Sequence, residues 1–475
     1  MAHHSNHNVL GHYGFLHHSE VYFLSSPSYA RKNFSLAWPL ALNALLMQSM
    51  LMIDTLLVSP LGELPLAAMG ISTTVVAFIL GIQMALANGT QLVISRAVGS
   101  GVKESLSKSF WSGLLINLSV AVLFWLLLTV FERPLLEALT DDPKLFSQIS
   151  SYIDISKYIV IFNALTQIII ALFNGLGRTK VPFKGYLIEM PVNAIVSYLL
   201  IHGYGSIQGI GVEGAALGSL FAIAVRLAYL SLCMRFDDEV NISKFSVLSS
   251  MRKNIRNHLI EIFPVAANMT ILSIGVTVYQ LLYSQLNINA YVAITLIMPW
   301  LRSGTQFITA WAHATAITIS QAIGSKSLDN LTKNVDTSIN IAVGISFLCA
   351  LAFTLISLVI ADIYPDLDPS TYEALALIAP LYIFLPIARG YNTVHGHILR
   401  SLGKTTAVFK INFTGQWLIS IPLCALLVLV FDVSIFWAFA IQPFEEIIKA
   451  LPFRHLARKS LKEFDAKKAS KLMYD

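Results

Sequence analysis

Apolar stretches about twenty residues long recur along almost the whole of this 475-residue chain, and nothing else constrains its fold as tightly. Wound into an α-helix, about 20 residues cross the ~30 Å hydrocarbon core of a bilayer. A backbone in lipid must satisfy its own N–H and C=O groups, so only helices and closed barrels can span. Continuous stretches of this length read as helices. They can be drawn near 34–58, 66–94, 110–131, 152–174, 185–203 and 213–233, then near 259–284, 291–320, 339–361, 376–399, 411–430 and 435–452, which makes about twelve spans. Composition agrees, with 55% hydrophobic and only 12% charged residues, against roughly 25% charged in a soluble domain. The expected fold class is an all-α polytopic membrane protein.

Basic residues orient the chain. Arg31 and Lys32, Arg96, Lys103 and Lys108, Arg178, Lys180 and Lys184, Arg252, Lys253 and Arg256, Lys326 and Lys333, Arg400 and Lys404, and the tail from Arg454 to Lys471 all fall on one side. The opposite loops hold only Arg133 and Lys144. By the positive-inside rule both termini are cytoplasmic, in the cell's inner (plasma) membrane. The opening residues are polar and His-rich without a cleavable signal pattern, and the first apolar run is already of span length. The clustered histidines read as a flexible tail, since no ligand spacing recurs among them. Cys233, Cys349 and Cys424 all fall inside spans without paired spacing and read as packing residues. The net charge of +5 follows from the topology, and the basic tail suits anionic lipid headgroups rather than nucleic acid. The expected partners are the bilayer and a small organic molecule, with the chain acting as a monomer and needing no metal or cofactor.

The chain is also written twice. A shift of 225 residues sets Pro39 on Pro264, Asn43 on Asn268, Ser95 on Ser320, Ala97 on Ala322 and Gly99-Ser100 on Gly324-Ser325, and a shift of 226 sets LGRTKVPFK (176–184) on LGKTTAVFK (402–410). Two offsets one residue apart, holding along a whole half, mark a duplication. The expected organisation is a polar tail at 1–33, a six-helix lobe at 34–234, a cytoplasmic linker at 235–258, a second six-helix lobe at 259–455 and a basic tail at 456–475. An even number of spans per half makes both halves enter from the same side. The two lobes are then related by an axis along the membrane normal with a cleft between them, which suits alternating access.

The runs WPLALNALLMQSMLMIDTLLVSPLGELPLAAMGIS (38–72), GTQLVISRAVGSG (89–101), ALFNGLGRTKVPF (171–183) and PVNAIVSYLLIHG (191–203) resemble, in order and spacing, the multidrug and toxic-compound extrusion (MATE) transporters. The resemblance covers about residues 34–455. It implies two pseudo-symmetric bundles of six helices and antiport of drugs, toxins or metabolites against an inward H⁺ or Na⁺ gradient. The alternative within the wider superfamily is a flippase, or a dedicated exporter of an anionic metabolite such as a siderophore.

Within MLMIDTLLVSPLG (50–62), Asp54 is out of place. A carboxylate near mid-bilayer costs roughly 2.5–3.5 kcal/mol on insertion scales. Its counterpart in the second half is Tyr279, so its task belongs to the first half alone. It matches the first-helix aspartate that the resemblance implies as the cation or proton site. Glu189 and Asn193, four apart, share one face of the fifth span, and PVN (191–193) resembles the family's Pro-x-Asn. Their counterparts, Gly415 and Ile419, are non-ionisable. Asp54, Glu189 and Asn193 are therefore the coupling candidates, with H⁺ the expected ion and Na⁺ the alternative. A carboxyl in a low-dielectric lobe can exchange a proton at accessible pH. The plainer readings are an Asp54 bonded to Thr55 or a backbone amide, and a Glu189 reaching for the headgroups about a turn beyond Lys184. Pro39 reads as close to the helix start, either tolerated there or bending the helix.

The second half departs from this pattern. One Na⁺-coupled branch of the family has acids on its seventh and tenth spans, whereas PVAANMTILSIG (264–275) and RGYNTVHGHIL (389–399) contain none. Arg302 and Arg389 stand instead where the first half has Ala77 and Asn163, and intramembrane cations need partners. Glu445 and Glu446, in IQPFEEIIKALPF, are the only acids well inside these spans apart from Glu261 near the cytoplasmic end. These charges form either a buried ion network or, with Tyr279, Asn392 and His395, a substrate cleft that favours anionic or hydrogen-bond-accepting groups. His313 and His397 can add polarity, but His395 and His397 are two apart on a helix and make a poor metal pair. With no HExxH and no GxSxG at a helix mouth, catalysis is not expected.

Overall fold

The structure, a computed structural model, describes residues 26–138, 140–205, 207–237, 240, 242 and 248–472. The histidine cluster of the expected tail and the linker around Phe245 lie outside the described residues. Among the described residues twelve long helices carry the chain. In the first half they are α1 (Ser26–Val58), α2 (Glu63–Ser100), α3 (Lys103–Val130), α4 (Pro143–Gly175), α5 (Lys180–His202) and α6 (Val212–Arg235). In the second they are α7 (Leu248–Tyr283), α8 (Ile288–Gly324), α9 (Leu331–Leu358), α10 (Pro369–Ser401), α11 (Thr405–Val430) and α12 (Ile435–Lys462). Nine of the described helices are long and apolar enough to cross a membrane by length and composition alone. The three long helices that miss that standard are α5, α8 and α12, which carry Glu189 and Asn193, Arg302, and Glu445, Glu446 and Lys449.

Helix ends follow from local sequence and repeat with the duplication. The Asp142 side chain accepts from Lys144 N at 2.9 Å ahead of Pro143 at the start of α4, and Asp368 accepts from Ser370 N at 2.8 Å ahead of Pro369 at the start of α10. An aspartate cap followed by proline satisfies one orphan amide and pre-sets the first helical φ. Gly101, at φ 69°, closes α2 in the left-handed conformation that glycine adopts without steric cost. Pro39 requires a correction. α1 already runs from Ser26, so Pro39 lies inside a continuous helix rather than near its start, where it removes the N–H that would bond the Ser35 carbonyl.

Each half is a six-helix bundle, and the bundles repeat their contacts. In the first, α2 packs on α4, α4 on α6, α3 on α4, α5 on α6 and α1 on α5; in the second, α8 packs on α10, α10 on α12, α9 on α10, α11 on α12 and α7 on α11. Away from the basic loops each lobe keeps its own core. Val58, Met69, Tyr152 and Ile201 cluster in the first, and Tyr283, Ile294, Tyr382 and Phe439 in the second.

The lobes meet in the half of the molecule nearer the basic loops. There Leu36 and Ala37 of α1 pack with Trp311 and Ile319 of α8, and Ala85, Leu86 and Val93 of α2 pack with Ile262 and Ala266 of α7. Tyr29 Oη and Ser338 Oγ lie 2.8 Å apart, Thr90 Oγ1 and His258 Nε2 3.0 Å apart, and Gln321 Nε2 donates to the Gly175 carbonyl at 2.8 Å. Arg96 forms an ion pair with Glu261 across the same boundary. Gly99 and Gly324, counterparts under the duplication, press on the opposite lobe's backbone. A Cβ on either would stand 2.0 Å from a carbonyl oxygen, that of Gln321 or of Arg96 respectively.

Candidate functional site

In the first lobe α1, α5 and α6 bring four polar side chains together. Asp54, buried at 8% exposure, accepts through Oδ2 from Ser219 Oγ at 3.2 Å. Asn193 Nδ2 donates to the same Ser219 oxygen at 3.1 Å, and Ser197 Oγ donates to Asn193 Oδ1 at 3.1 Å. Asp54 and Asn193 thus converge as expected, joined by a serine from α6 that carries no signal of its own in the sequence. Thr55, a possible local partner, donates instead to the Leu51 carbonyl at 2.8 Å. The second oxygen, Asp54 Oδ1, is buried without a hydrogen-bond partner among the described residues. A cation or a proton can bind there without displacing an existing bond.

Glu189 lies on the same face of α5 as Asn193 but is committed elsewhere. Its Oε2 accepts from Arg226 Nη1 at 2.6 Å, both side chains are buried, and the guanidinium stacks 4.3 Å from the Tyr186 ring centre. The reading that sends Glu189 to the headgroups is thereby corrected. Its cation comes from α6, 37 residues along the chain, and the one sequence signal was an arginine stranded in an apolar span.

In the second lobe the expected charges form a connected network. Tyr279 Oη donates to Glu445 Oε2 at 2.6 Å, and Arg389 Nε donates to Glu446 Oε1 at 3.3 Å and Nη2 to Gln442 Oε1 at 3.4 Å. Asn392 Nδ2 reaches the Glu446 carboxylate at 2.8 Å and its carbonyl at 2.6 Å. The central member is Lys449, 2.9 Å from Glu445 and 3.4 Å from Glu446. Sequence reasoning passed over it, although a lysine four and three residues after two glutamates is the standard helical ion-pair spacing. The network lines a cavity of about 310 Å³.

Two expectations for this lobe are corrected. Arg302 lines the cavity but has no carboxylate partner among the described residues, so it stays outside the network. His395 is buried and bonded through Nδ1 to the Tyr391 carbonyl at 2.8 Å, away from the cavity. Residues 389, 392, 393, 396 and 400 share the face of α10 that lines it, with 395 on the other side. His397 lines it in place of His395, with its ring centre 4.4 Å from that of His313.

The MatE family profile matches the chain twice, over residues 39–199 and 264–426. The two matches begin 225 residues apart, the shift already read from the sequence. The chain belongs to the MatE family. It is 24% identical over 403 residues to the uncharacterized transporter YisQ of Bacillus subtilis, covering 83% of this chain and 86% of that one. It is 24% identical over 422 residues to the multidrug resistance protein MdtK of Pectobacterium atrosepticum, again covering 83% and 86%. The fold is shared with the Vibrio cholerae MATE transporter VcmN in its bent form, at a TM-score of 0.83 and 19% identity, covering 94% and 99% of the two chains. This MatE protein is a multi-pass membrane protein and a secondary transporter that exports compounds, not an enzyme. Its two lobes differ at corresponding places. Where α5 carries Glu189 facing Arg226, α11 carries Gly415 facing Lys449, and a Cβ on Gly415 would stand 2.7 Å from Lys449 Cγ. The missing side chain is what lets the lysine stem pass.

Proposed function

We propose that this MatE transporter exports small organic compounds in exchange for H⁺ by alternating access of its two lobes, 34–234 and 259–455, with Asp54 as the coupling carboxyl. The observation that carries this reading is the Asp54 site itself. A buried acid is bonded on one oxygen through Ser219 to Asn193 and left without a partner on the other among the described residues, and Tyr279 holds the corresponding place in the second half.

The positive-inside rule supports a cytoplasmic position for the half in which the lobes meet and for both termini. On that reading the contacts between the lobes close the cytoplasmic side, while away from it each lobe keeps its own core. Loading a proton on Asp54 from outside then accompanies the change that opens the sealed half. H⁺ is favoured over Na⁺ because the second-half stretches 264–275 and 389–399 carry no acid for a cation site. The transporter works as a monomer and needs no cofactor beyond the coupling ion.

The test is a proteoliposome assay with an imposed pH gradient. Asp54→Asn keeps the size and hydrogen-bonding capacity of the side chain but removes the ionisation. It should insert and fold as the wild type does while losing gradient-driven export. An Asp54→Asn protein that pumps at the wild-type rate refutes the assignment.

A further inference from the structure

The second-lobe cavity holds more positive charge than its network uses. Four cations line it, Arg302, Arg389, Arg400 and Lys449, against the two carboxylates Glu445 and Glu446. Both carboxylates are engaged by Lys449, Arg389, Tyr279 and Asn392. That leaves Arg302 and Arg400 with no carboxylate partner among the described residues, and Arg400 is only 8% exposed. An isolated guanidinium inside a membrane protein is costly unless something neutralises it.

Polar atoms around the same cavity are unspent as well. Arg400 Nε, Asn268 Nδ2, Asn392 Oδ1 and Gln416 Oε1 are buried without hydrogen-bond partners among the described residues. Each belongs to a residue at least nine-tenths buried that lines the cavity. Between these polar groups the walls are apolar, formed by Met269, Leu272, Val276, Met298 and Phe453. A volume of about 310 Å³ suits a small organic molecule. Arg389 and Arg400 are eleven residues apart on one face of α10, roughly 16 Å along the helix, so the cations are spread along the site rather than gathered at a point.

We propose that this cavity binds the anionic group of the exported compound, a carboxylate or a similar oxyanion on an apolar frame, with Arg302 and Arg400 supplying the free charge. The inference rests on the export reading above and names the substrate class. A planar guanidinium pairs with a carboxylate through two parallel hydrogen bonds, and the apolar walls hold the frame that carries it. Asp54 sits in the other lobe, so proton and anion do not compete for one site.

The test uses three probes that share one ring system and differ in charge: 2-naphthoate, 2-naphthamide and 2-naphthylmethylammonium. Their binding to the purified full-length protein is measured by fluorescence titration in phosphatidylcholine nanodiscs, without any gradient. Naphthoate should bind about tenfold more tightly than the ammonium probe, with the amide between them. Arg302→Gln, at an exposed position that does not threaten folding, should weaken naphthoate by about tenfold and leave the ammonium probe unaffected. Arg400→Gln should act in the same direction. An equal or reversed order, no binding by any probe, or an Arg302→Gln loss that is uniform across all three overturns the proposal. Loss of naphthoate binding when half the lipid is phosphatidylglycerol assigns the cavity to a lipid headgroup and overturns it too. Equilibrium binding needs no turnover, so a protein that keeps the charge order but does not pump counts against the export reading alone.

Discussion

Gly99→Ala adds one methyl group at a place where one lobe presses on the other's backbone. Its Cβ would lie 2.0 Å from the Gln321 carbonyl oxygen and 2.8 Å from the Gln321 carbonyl carbon and Cα. The obstacle is backbone, which cannot swing aside as a side chain can, so α2 and α8 must part by about 1 Å or more. Forcing extra methyl groups into a packed contact costs roughly 1–3 kcal/mol. The cost falls only on the state in which the lobes meet here, so the balance against the reverse state should move by about 5–150-fold. Gly324→Ala acts in the same direction, because its Cβ would lie 2.0 Å from the Arg96 carbonyl oxygen. The double variant should shift less than the sum, since one separation relieves both clashes. The readout is a single cysteine at Asn88, which lines a small space between the lobes with His313 and His397, in a background lacking Cys233, Cys349 and Cys424. Labelling by a bulky maleimide from the side of the basic loops should accelerate in Gly99→Ala and in Gly324→Ala. Gly70→Ala, where a Cβ would meet nothing within 4 Å, is the control and should leave the rate unchanged. Equal labelling rates in all three variants would mean that the glycine contact does not set the balance between the two states.

Glu189→Gln strands Arg226 in the first lobe and should cost about 3–5 kcal/mol, read as a lowered melting temperature in detergent. Most of it should return in the double variant Glu189→Leu with Arg226→Leu, and no recovery would show that the pair does more than neutralise itself. Lys449→Met leaves Glu445 and Glu446 with less positive charge and should destabilise by a similar ~3–5 kcal/mol. Adding Glu445→Gln to Lys449→Met should recover part of that loss, as measured by the same melting curves.

The architecture was legible in the sequence because the quantities that set it are local. Span length and basic loops need no partner to be read, and the duplication needs only comparison of the chain with itself. The Asp54–Asn193 relation was within reach only through the family resemblance, since Asp54 matches the family's first-helix aspartate and PVN (191–193) its Pro-x-Asn, whereas spacing alone relates Asn193 to Glu189. What escaped was the identity of partners brought in by tertiary packing. Ser219 and Arg226 reach the first-lobe site from α6, and no periodicity on α5 announces them. Arg302 looked like a network member because an intramembrane cation demands an acid, yet only the fold reveals that it lines the cavity without an ion pair to Glu445 or Glu446 among the described residues. Lys449 is different. Its spacing of four and three residues from the two glutamates is written in the sequence, and the helix realises both pairs.

The duplication is kept strictly at one place and abandoned at another, and geometry explains both. Under a pseudo-twofold axis, contacts between the halves come in reciprocal pairs, as at an isologous dimer interface. Gly99 meets Gln321 and Gly324 meets Arg96, and Gln321 is the residue that the 225-residue shift sets on Arg96. A side chain added to one of these positions collides with a partner that faces the same constraint, so the pair stays small together. The polar sites lie off the axis, inside separate bundles, where a change in one lobe imposes nothing on the other. Asp54 can therefore stand opposite Tyr279, and Glu189 opposite Gly415, without disturbing the seal. Among the described residues the first lobe keeps an acid with an unpartnered oxygen, and the second keeps two guanidinium groups, Arg302 and Arg400, without carboxylates. One scaffold thus holds opposite chemistries in its two lobes while the surface that joins them keeps reciprocal contacts.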